Sequence, residues 1–102
     1  MAIELVYEEV PGRHNSVPIA TFDYFARVWV PGARELGLST VPKLMHGVKL
    51  DAKGVDSLLP ELAALSVWAN RKSLVDLVCR IDHLAAELRR LVDAGVQEFS
   101  FG

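Results

Sequence analysis

Three histidines, one cysteine and a few neighbouring carboxylates are the residues of this 102-residue chain with side chains suited to chemistry. His14, His46 and His83 stand far apart, and none belongs to a His-x-x-His, His-x-x-x-His or His-Glu-x-x-His arrangement that would bring two imidazoles to one metal ion. His14 falls in a turn-rich stretch and His83 on the polar side of a helical pattern. His46 alternates with Leu44 and Val48, which reads as a partly buried position, where a hydrogen-bonded structural histidine is expected ahead of a ligand. Asp82-His83 has the composition of a dyad, but successive residues on a helix do not face each other. Glu8 and Glu9 fall on opposite faces of a strand and cannot act on one substrate atom. The seven glycines form neither a Walker loop nor a Gly-x-Gly-x-x-Gly fingerprint, and no Gly-x-Ser-x-Gly elbow is present. One constellation remains. If the first helix packs beside the middle strand, Asp23, Tyr24, Arg27 and His46 line a pocket between helix and sheet, with Arg27 holding an anion and His46 serving as acid or base. No cofactor and no metal is implied by any of these patterns.

Composition narrows the partner classes. Eleven basic residues stand against thirteen acidic ones, with pI ≈ 5.9. The basic doublets Arg71-Lys72 and Arg89-Arg90 form no stripe, so nucleic acid is not an expected partner. The opening "MAIELVYEEV" lacks the basic and apolar regions of a secretory signal, and no apolar run approaches the roughly 20 residues of a membrane span. The expectation is a cytoplasmic protein without membrane contact. Cys79 cannot form an intramolecular disulfide, and on the flank of an apolar stripe it reads as a small packed hydrophobe.

The elements that must position these residues follow from periodicity. Ile3, Leu5 and Tyr7 alternate with Glu4 and Glu8 as in a half-buried strand, and "PGRHNSVP", residues 11–18, carries loop chemistry. Thr21 is placed to cap a helix along which Phe22, Phe25, Ala26, Trp29, Ala33 and Leu36 recur, with Gly37 as its stop. Pro31-Gly32 interrupts that helix without changing its phase, which predicts one helix kinked at Pro31. Val41 to Asp51, with Leu44, His46, Val48 and Leu50 alternating, reads as one strand or a short hairpin turning at His46-Gly47, and a strand centred on Val48 to Leu50 is favoured. The second helix turns Val55, Leu58, Leu59, Leu62, Leu65 and Ala69 to one side, with Pro60 near its first turn or kinking it. The third, capped by Ser73 and stopped at Gly95, presents Leu74, Leu77, Val78, Ile81, Leu84, Ala85, Leu88, Leu91 and Val92 opposite Asp76, Arg80, His83, Glu87 and Arg90. Phe99 and Phe101 alternate in a last strand. The order βαβααβ predicts one α+β domain over residues 1–102, with a small sheet covered on one face by three helices.

The feature that carries most weight is the start of the first helix. Phe22, Tyr24, Phe25, Ala26, Val28, Trp29 and Val30 make seven of its nine positions from 22 to 30 apolar or aromatic. A helix apolar all round is either enclosed or turned to another chain. The hydrophobic fraction of 51% is high for so small a domain, and Tyr and Trp are enriched in interface cores. The expectation is therefore a non-catalytic interaction domain, of the inhibitor, immunity or regulatory-subunit kind, whose surface comprises Tyr24, Val28, Trp29 and Trp68. A homodimer is its simplest form. The alternative is a small-molecule binder or minor enzyme built on the Asp23, Tyr24, Arg27 and His46 pocket.

Overall fold

A computed structural model describes residues 2–102. The first strand, β1 (Ala2–Val10), is continued by a second, β2 (Arg13–Thr21), antiparallel to it. Most of the segment expected as loop is thus strand, and only Pro11-Gly12 turns, with Gly12 at φ 82°. Residues 13–16 are exposed, so no side-chain alternation announces the strand. Pairing runs through backbone groups that almost every residue carries.

Thr21 starts α1 as expected, its Oγ1 accepting the Tyr24 N–H at 3.2 Å. The helix runs unbroken from 22 to 35 in three parts: an α turn (Phe22–Tyr24), a π turn (Phe25–Trp29) and a second α segment (Val30–Glu35). Val30 donates to the Phe25 carbonyl, five residues back. The irregularity expected at Pro31 therefore lies just ahead of it. In a regular helix the proline ring meets the carbonyl four residues earlier, and a widened turn makes room there. Gly37, at φ 71°, ends α1, with Leu38 N–H bonded to Ala33 O at 2.8 Å and Gly37 N–H to Arg34 O at 3.1 Å. This is a Schellman closure.

A 3₁₀ helix (Val41–His46) replaces the start of the expected strand. It buries Val41 and Leu44, three residues apart, and leaves His46 exposed. The three-residue turn of such a helix makes that spacing one face. β3 (Val48–Leu50) stands where the pattern placed it, and α2 (Ala52–Arg71) begins on Asp51, whose Oδ1 accepts the Gly54 N–H at 2.8 Å. Pro60 lies in the interior of α2, on its exposed side, well past the first turn. α3 (Val75–Asp93) and β4 (Phe99–Phe101) complete the chain. Ser73 does not cap α3. It sits at φ 59° and closes α2, with Ser73 N–H bonded to Asn70 O and Leu74 N–H to Ala69 O. A serine at this left-handed position carries a steric cost that glycine avoids. Ser73→Gly is expected to raise the unfolding free energy by about 0.5–1 kcal/mol, measured by urea titration.

The four strands form one antiparallel sheet in the order β2-β1-β4-β3. The chain is thus an α+β fold of order ββαβααβ. Ile3, Leu5, Phe99 and Phe101 point from the sheet into the core, while Glu4, Val6, Lys49 and Ser100 of the other face are not buried. Over the core face lie Phe25, Trp29 and Ala33 of α1, Leu58, Leu62 and Leu65 of α2, and Leu77, Ile81 and Leu88 of α3, all inaccessible to solvent. The stripe of α1 is buried only in its middle, since Phe22 and Leu36 remain exposed.

Candidate functional site

The first helix does not present its aromatics as one surface. Trp29 is wholly buried and stacks on Phe25 with ring centroids 4.9 Å apart, so it belongs to the core and not to an interface. Its Nε1 is buried with no hydrogen-bond partner among the described residues. Trp68 is half-buried, and its ring lies on Gly32: a Cβ there would come within 2.7 Å of Cζ3. The indole Nε1 donates to Glu35 Oε2 at 2.6 Å, and Lys72 Nζ stands 6.0 Å from the ring centroid. Trp68 thus joins α2 to α1 within the chain. Tyr24 and Val28 are half-buried against the core and keep part of their surface in solvent.

The pocket constellation does not assemble. Asp23 and Arg27 form an i, i+4 ion pair at 3.3 Å with both side chains open to water, an arrangement that contributes little to stability. His46 is exposed rather than partly buried, and among the described residues it makes no hydrogen bond or salt bridge to Asp23, Tyr24 or Arg27. The change from strand to 3₁₀ helix is the cause, because it ends the alternation that would have turned His46 inward.

Of the expected residues, only Tyr24 lines a substantial concavity. This hollow, about 460 Å³, lies where the sheet, the start of α1 and α3 meet. Ala2, Pro18 and Ala20 supply its apolar wall, Tyr24 and Thr21 one end, and Asp76 and Arg80 the α3 side. Pro18, Asp76 and Arg80 also border a second hollow of about 510 Å³, reached by Cys79 and His83. The two form one groove between β2 and α3. Cys79 is exposed in it and is not the packed hydrophobe its flank position suggested. Sequence reasoning passed over Asp76 and Arg80, because opposite charges one turn apart on a polar helix face read as a solvated pair. In the structure they form no salt bridge with each other.

Other charges serve the fold. Glu61 of α2 reaches back to accept the Thr40 and Val41 N–H groups at 2.9 and 3.1 Å, satisfying the open start of the 3₁₀ helix. Glu61→Ala is expected to cost about 1–3 kcal/mol in urea unfolding, since two half-buried donors lose their acceptor. Glu87, and then Glu9, hold the Arg90 guanidinium above its usual pKa. Among the described residues no group of three His, Cys, Asp or Glu side chains is gathered to hold a metal ion, and no helix is long and apolar enough to cross a membrane.

The free edge of β2 borders the groove. Glu4 exchanges both its backbone bonds with Gly102, at 3.2 and 3.1 Å. In an alternating antiparallel ladder this turns Glu4 and Val6 toward β4, and Leu5 and Tyr7 toward β2. Their partners in register then leave the backbone groups of Ser16 and Pro18 pointing outward. Pro18 has no N–H to offer there, and this blunts the edge against an added strand. Compared with protein-family models, with curated proteins and with solved structures, the chain finds no match in any of the three.

Proposed function

We propose that this chain is a small non-catalytic interaction domain, acting by self-association or by occupying another protein's surface as an inhibitor, immunity-type protein or regulatory subunit does. The observation that supports this reading is the Tyr24 edge of the groove. There a half-buried aromatic and an apolar wall adjoin Val75, which is 68% exposed. Aromatics partly seated in apolar hollows are the usual anchors of protein interfaces. The surface is accordingly drawn at Tyr24 and the start of α3, with Val28 at its margin, and no longer at Trp29 and Trp68.

Light scattering after gel filtration, repeated over a wide concentration range, tests it. The expected result is a dimer or a stable complex that Tyr24→Glu with Val75→Glu disperses while far-UV circular dichroism stays unchanged. A monomer at every concentration with no co-purifying protein would sink the proposal. A second reading, a small-molecule binder, draws on the volume of the hollow, which falls within the roughly 300–1,000 Å³ of ligand pockets. Its recognition groups would be Tyr24, Asp76 and Arg80. A ligand library should then raise the melting temperature, and Arg80→Ala should abolish the shift.

A further inference from the structure

We draw no further inference here: the strongest candidate, the open groove between β2 and α3 that Cys79 and His83 border, carries nothing because no feature of the structure shows what covers it.

Discussion

Trp29→Ala is expected to lower the unfolding free energy by about 3–5 kcal/mol, the range for emptying a large aromatic from a core. Trp29 is fully buried and stacked on Phe25 at the π turn of α1, so its loss leaves a void in the core whose lining forfeits those contacts. Urea unfolding followed by circular dichroism measures this. Trp29→Phe should cost much less. It keeps most of the packed area and removes the buried Nε1 that lacks a partner, an orphaned donor costing about 1–3 kcal/mol. A loss for Trp29→Ala below about 1 kcal/mol, together with altered association, would return this side chain to the surface.

Gly32→Val is expected to destabilise by about 2–3 kcal/mol, through overpacking. Helix propensity alone argues the other way for a small substituent, since glycine is about 1 kcal/mol worse than alanine in a helix interior. Contact decides, because a Cβ on Gly32 would stand 2.7 Å from Trp68 Cζ3 and 2.9 Å from both Cε3 and Cη2. Moving the indole aside would also break its bond to Glu35 and uncover the junction of α1 and α2. Trp68→Ala in the same chain should recover much of the loss. A double-mutant cycle should therefore show a coupling of about 1 kcal/mol or more, whereas simple additivity would mean that the close approach carries no energy. Glycine in the Pro-Gly pair is thus explained by its neighbour on α2.

Much of the fold was legible in periodicity. The strand face of Ile3 and Leu5, the stripes of α2 and α3, the Thr21 cap, the Gly37 and Gly95 stops and the short strands at Val48–Leu50 and Phe99–Phe101 all stand where the residues placed them. These features are local, fixed by helix or strand period and by backbone freedom within a few residues. Where the structure departs from the pattern, the origin is not local. β2 leaves no side-chain pattern, because its outer half pairs through backbone while showing only exposed side chains. Ser73 has the residue type of a cap, yet the closure of α2 places it at a left-handed position.

The candidate site divides the same way. Tyr24 was visible as an aromatic surplus on a short helix. Asp76 and Arg80 were visible only as a polar face, since nothing in their spacing says that β2 and the start of α1 come to lie beside them. By itself the sequence determined the α+β class, the helical stripes and most of their ends, because those depend on residues close along the chain. Tertiary structure decided which aromatics are core, that Gly32 receives Trp68, that His46 faces water and that a groove opens between β2 and α3. Each depends on contacts between residues far apart in sequence, whose geometry exists only once the sheet and helices have packed.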